Sequence, residues 1–219
     1  MNMSTEPMFN LREKAPVIVF AILIIFHILL KLTPTNLAEH IYSWLLLLPL
    51  GYEGINGTQN FTSLLGHGLA HGDISHLIMN GFMIIAFGVV TLQGIRANIS
   101  IRPAIFTPVQ KFYLIFILGI VVGGLFQWGW WAISHKTGVA LGASGGASAL
   151  FATMAYAIGG RDRMLKFGIG WGIINILLAL VGPSLGINIA WAANVGGYVL
   201  GMILARIWVR STSTSFKLN

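Results

Sequence analysis

Hydrophobic positions in this chain are gathered into six long runs separated by short polar stretches. The runs cover roughly 15–33, 74–92, 111–133, 143–160, 166–182 and 188–209. Each is close to the ~20 apolar residues that a helix needs to cross a bilayer. The pattern predicts an all-α polytopic membrane protein, a six-helix bundle, with a membrane domain over 15–209 between short polar tails at 1–14 and 210–219, whose outermost residues are expected to be mobile. The fourth and fifth runs are short and glycine-rich, which suggests spans buried among their neighbours. The first is longer than a signal-peptide core and is not followed by a small-x-small cleavage site, so it reads as an uncleaved span. No internal repeat and no second domain stand out.

The one long connection, about 34–73, follows the first span. Within it Leu37 to Leu48 carries Tyr42, Trp44 and a leucine run ended by Pro49, the pattern of a helix lying in the membrane interface. Trp128, Trp130 and Trp131 fall at the far end of the third run, where an aromatic belt is expected.

Composition agrees with the pattern. Of the 219 residues 56% are hydrophobic and 9% charged, too few charges to cover a water-soluble domain. The 27 glycines suit helices that approach closely in lipid. With no cysteine, disulfides and thiolate metal sites are excluded. The net charge of +7 is explained by its distribution. Arg12, Lys14, Arg96, Arg102, Lys111, Arg161, Arg163, Lys166, Arg206, Arg210 and Lys217 all fall on one side of the predicted bundle, and only Lys31 and Lys136 fall on the other. That asymmetry makes the basic side, with both termini, cytoplasmic. It also reads as contact with anionic lipid, with no nucleic-acid partner implied.

Three short constellations carry possible chemistry. At the start of the second span, His71, His76 and Asn80 are spaced so that the last two share a helix face, with Asp73 as a plausible N-cap. The same residues suit either helix–helix hydrogen bonding or a pair of donors aimed at a developing oxyanion. At the start of the fourth, Gly142-Ala143-Ser144-Gly145 puts a serine at a helix N-terminus, which favours negative charge, although serine and glycine are also common packing residues. Ser148, one turn on, reads as packing. In the sixth, Gly197 and Gly201 form a small-xxx-small face, with Asn194 one turn before them placed to meet a neighbouring helix.

Taken together, in this order and on spans two, four and six, these motifs resemble those of the rhomboid intramembrane serine proteases. His71, His76 and Asn80 match the second-span His-x4-His-x3-Asn, and Gly142 to Gly145 match Gly-x-Ser-Gly. Gly197 and Gly201 match the sixth-span glycines, but Asn194 stands where the family has histidine. The resemblance implies Ser144 as nucleophile and His76 and Asn80 as the oxyanion site. It makes His71 a structural histidine, and Gly197 and Gly201 the contact between spans four and six. It also implies transmembrane-helix substrates, a multi-pass setting such as a bacterial inner membrane, and neither metal nor cofactor.

Serine needs a base to take its proton, and an amide does not accept one at neutral pH. Two readings follow: a protease architecture that would cleave transmembrane helices near the outer face with Ser144 but is crippled at position 194, which retention of Ser144, both glycines and the oxyanion residues favours, or a pseudoprotease that binds membrane-protein clients for regulation or quality control. His135, in a loop, is expected to be exposed. A channel or transporter is disfavoured, because the six acidic residues lie in loops, tails or span edges.

Overall fold

The computed structural model describes residues 13–98, 105–185 and 188–211, and all the regular structure there is helical. Residues 1–12 and 212–219 of the expected tails and part of the connection between the second and third runs, Arg12, Arg102 and Lys217 included, lie outside the described residues. The helices are α1 (Lys14–Leu32), α2 (Thr35–Leu45), α3 (Gly57–Gly66), α4 (Ile74–Ala97), α5 (Pro108–Ser134), α6 (Ser144–Val181) and α7 (Trp191–Trp208). Of these, α1, α4, α5 and α6 are long and apolar enough to cross a membrane. The shorter α7 carries Asn194, Arg206 and three glycines, and sits against α6 and α5.

At 38 residues α6 is twice the length of a span, and it is a hairpin. Its dihedrals leave the helical region at Gly159 and Gly160, the latter at φ 67°, a left-handed conformation that glycine adopts without strain. Arg163 donates to the Ile158 carbonyl at 3.3 Å and caps the first arm. Residues equidistant from the turn then meet: Trp171 reaches Ser148, and Phe151 contacts Phe167 and Trp171. The two arms are thus the fourth and fifth spans, and the polytopic six-segment architecture stands.

Two details differ from the sequence reading. The expected loop at 161–165 is instead the first turns of the second arm, because two glycines suffice to reverse the chain. And only the first arm is buried. In the second, Met164 and Asn175 are the buried residues, while Ile169, Ile173, Leu177 and Leu180 are exposed.

The centre is a seam of small residues. A Cβ on Gly197 would run into the Gly145 carbonyl, and one on Gly201 into the Ala149 carbonyl. On the other side of α6, Gly119 of α5 lies against Gly145, Gly146 and Ala149, and Gly123 against Ala193 of α7. Three backbones therefore meet at van der Waals distance, as small residues permit in membrane bundles.

The long connection holds two helices. α2 covers most of the interfacial stretch read from the sequence and has no buried residue. α3, which the sequence reading did not single out, opens with a capping box: Asn56 accepts from the Gln59 N–H at 2.9 Å and the Gln59 side chain accepts from the Asn56 N–H at 3.1 Å. Trp131 is buried and Trp128 donates to the Leu48 carbonyl at 2.8 Å, so two of the three expected belt tryptophans anchor this connection.

Candidate functional site

The segment leading into α6 is pinned from two sides. Ala140 and Leu47 exchange backbone hydrogen bonds at 2.9 and 3.1 Å, and the Gly142 N–H donates to the His67 carbonyl at 2.8 Å. Gly142 has φ +107°, and a Cβ there would lie 2.7 Å from the His76 ring and 3.6 Å from Asn80 Nδ2. Glycine is required on both counts. His76 and Asn80 are thereby brought against the turn that presents Ser144, the first residue of α6.

Asp73 caps α4 as expected, accepting from the His76 N–H at 2.8 Å and from the Ser75 hydroxyl. The Ser75 bond and then the His76 N–H hold its carboxyl below the usual carboxylate range. Asn80 is fully buried and donates to the His76 carbonyl at 3.0 Å. His71 is 1% exposed, its ring 5.1 Å from that of His76, and its Nδ1 lies 3.2 Å from the Leu69 carbonyl. Burial, followed by repulsion from His76, lowers its pKa to about 4, so the ring is neutral at physiological pH. His67, also buried, is shifted down by the same desolvation and bonds the Ser63 carbonyl at 2.8 Å.

On the opposite side stands α7. Ala193 and Gly197, which flank Asn194, both abut Gly145, so Asn194 lies at the level of the α6 N-terminus. Its side chain donates to Asn175 Oδ1 at 2.6 Å, and Asn175 in turn donates to the Trp171 carbonyl at 2.9 Å. Trp171 Nε1 donates to Ser148 at 3.2 Å, giving that serine a partner on the second arm. The Ser144 hydroxyl makes no hydrogen bond to the described residues. His135 is exposed at the end of α5.

The predicted site residues are therefore gathered at one end of the bundle: His71, His76, Asn80, Gly142, Ser144 and Gly145 on one flank, Asn194 and Gly197 on the other, with Gly201 one turn deeper. Sequence reasoning missed Asn175 and Trp171. Asn175 had a signal, as a lone polar residue within the apolar run Gly172 to Val181. A cavity of about 760 Å³ opens at the same end, between Trp130 and Trp131 of α5, Ile176 and Leu180 of the second arm, and Trp191, but contains none of these residues. Among the described residues no three His, Asp or Glu side chains gather as metal ligands.

Fold and site together describe a helical membrane protein with a serine at the head of a buried central helix, flanked by histidine and asparagine. The family model for the Rhomboid domain matches residues 58–211, and the chain belongs to the rhomboid family. Comparison with curated proteins gives no match.

Proposed function

We propose that this rhomboid binds membrane-spanning helices of client proteins at the Ser144 end of the bundle, and does not cleave them efficiently. The supporting observation is the hydrogen bond from Asn194 to Asn175. The side chain in the position of the family's base is an amide, and its N–H is directed to the second arm of α6. Without a proton acceptor a serine hydroxyl is a poor nucleophile, and losing the base leaves only the ~10³–10⁴-fold that binding and oxyanion contacts supply. The asymmetry of the basic residues supports an orientation with the Ser144 end on the outer side of the membrane, where it would meet client helices emerging from the bilayer.

The test is labelling of Ser144 by a fluorophosphonate probe in reconstituted protein. The native chain is expected to label negligibly and to leave transmembrane substrates intact. Asn194→His is expected to create labelling, because Asn175 Oδ1 is already an acceptor for the imidazole Nδ1–H and would leave Nε2 free as a base. Adding Ser144→Ala should abolish it. Efficient cleavage by the native protein, lost in Ser144→Ala, would overturn this reading.

A second reading has one observation in its favour. The His76 ring packs directly on Gly142, two residues before Ser144, and an imidazole there is a conceivable base for a hydrolase. Under that reading native Ser144 labels and His76→Ala removes the label.

A further inference from the structure

The cavity of about 760 Å³ between α5, the second arm of α6 and the start of α7 contains no residue of the Ser144 site. Its volume is that of a small-molecule site. On its α5 wall stands Gln127, which is only 4% exposed. The Gln127 carboxamide makes no hydrogen bond to any described residue, and its Oε1 is sealed from solvent. An amide buried in this way is costly unless something outside the chain supplies its partner.

The rest of the lining says what that partner carries. Lys136 and Thr137 stand at the mouth, in the exposed segment that follows α5. No Asp or Glu lines the cavity, and Lys136 makes no ion pair with a described residue. Trp130, Trp131 and Trp191 give it aromatic walls, and their indole N–H groups are unbonded among the described residues. The polar groups are thus mainly donors: an ammonium, a hydroxyl, the indoles and Gln127 Nε2. They call for a ligand that is negatively charged and rich in acceptors.

The wall formed by the second arm is apolar, with Ile176, Leu180 and Pro183. It continues into an exposed stripe, Ile169, Ile173, Ile176 and Leu180, on one face of that arm. At 1.5 Å per residue the stripe is about 16 Å long, the depth of one leaflet of a ~30 Å hydrocarbon core. The polar groups follow the same axis. Gln127 lies two turns, about 10 Å, before the end of α5, and Lys136 lies beyond that end. A phospholipid presents its groups in this order: phosphate, then ester carbonyls, then acyl chains.

We infer that this cavity binds one acidic diacyl phospholipid from the leaflet at the Ser144 end. Its phosphate meets Lys136, an ester carbonyl accepts from Gln127 Nε2, and an acyl chain lies along the stripe. The site is separate from the anionic-lipid contact expected at the basic end of the bundle, and it does not depend on what Ser144 does.

The test is quenching of tryptophan fluorescence by phospholipids brominated in one acyl chain, titrated into the native chain in detergent. Trp130, Trp131 and Trp191 report the cavity, while the basic end carries Trp208 alone. Phosphatidylglycerol is expected to reach half-quenching at about one-tenth of the mole fraction that phosphatidylcholine needs. Lys136→Ala should make the two lipids alike. Ether-linked phosphatidylglycerol keeps the charge and lacks the carbonyls. It should bind the native chain severalfold more weakly than the ester lipid, and Gln127→Leu should bind both equally. A Gln127 that served packing alone would not distinguish ester from ether. Equal quenching of the native chain by phosphatidylglycerol and phosphatidylcholine overturns the inference and leaves only annular lipid, as does a charge preference that survives Lys136→Ala. Indifference of the native chain to ester and ether also overturns it, and that arm needs no variant to fold. Displacement of the brominated lipid by glycerol 3-phosphate at comparable concentration would assign the cavity to a soluble phosphate ester and sink the lipid.

Discussion

A buried carboxamide offers two donor and two acceptor positions, and among the described residues Asn194 uses one of them, toward Asn175. An amide at this position differs from an imidazole in more than basicity: its N–H is turned along a fixed chain to Trp171 and a carbonyl oxygen is left in reserve. His71 shows the same economy of partners in a titratable group. Its folded pKa is near 4 against an ordinary 6.5, set first by burial, then by repulsion from His76, with the Leu69 carbonyl opposing, His27 adding repulsion and Asp73 attraction. As pH falls through 6.5 the unfolded chain takes up a proton that the native ring refuses, so stability falls between 6.5 and 4 and levels off below. The shift corresponds to about 3 kcal/mol in total. Thermal unfolding in detergent across that range should show a drop in midpoint for the native chain that His71→Gln largely removes; parallel curves would refute the assignment. Of these residues the sequence disclosed Ser144, His71, His76, Asn80 and Asn194, because polar side chains in apolar runs are conspicuous. It did not disclose that Asn194 pairs with Asn175, since that contact exists only once the hairpin of α6 brings the second arm back.

The helices were legible for the same reason that membranes constrain them: apolar length is the primary signal, and α1, α4, α5 and α7 fall close to their predicted ranges. Where the reading failed, hydropathy carries no information. The turn at Gly159 and Gly160 has no length of its own, and Arg161, Arg163 and Lys166 look like a loop although long basic side chains at a helix end reach the interface without leaving the helix. α3 is too short and polar for a span, yet Asn56 and Gln59 spell out its start. The glycine seam was read correctly as a close contact, and its geometry now sets a graded expectation. Gly197→Ala forces a methyl onto the Gly145 carbonyl, which is backbone and cannot rotate away, so α6 and α7 must separate; a loss of about 1–3 kcal/mol is expected. Gly172→Ala in the second arm meets nothing within 4 Å and should be neutral or slightly stabilising through helix propensity. Thermal melts of the two variants side by side check the contrast, and equal behaviour would mean that the seam is looser than described.

Across the whole molecule the two ends of the bundle are tied off differently. At one, Glu13 and Arg96 form an ion pair at 2.9 Å, the Arg210 N–H donates to the Gly94 carbonyl at 3.0 Å, and Asn98 reaches the Ile207 carbonyl at 3.4 Å. These bonds join the ends of α1, α4 and α7. At the other, the 34–73 connection folds over the head of α6 through Leu47, His67 and Trp128. Charge distinguishes the ends more sharply than these bonds do: among the described residues Lys14, Arg96, Lys111, Arg161, Arg163, Lys166, Arg206 and Arg210 belong to the first, and Lys31 and Lys136 to the other. Retention of Lys and Arg on the cytoplasmic side during insertion predicts an orientation with the 34–73 connection and the Ser144 cleft outside. The absence of cysteine makes this directly measurable. Glu53 is exposed in the long connection and Asp162 at the hairpin turn, so a cysteine at either leaves the core untouched. With a membrane-impermeant maleimide on intact cells, Glu53→Cys should label at once and Asp162→Cys only after permeabilisation. The reverse pattern would place the cleft on the cytoplasmic side, and clients would then have to be sought among helices presented from within.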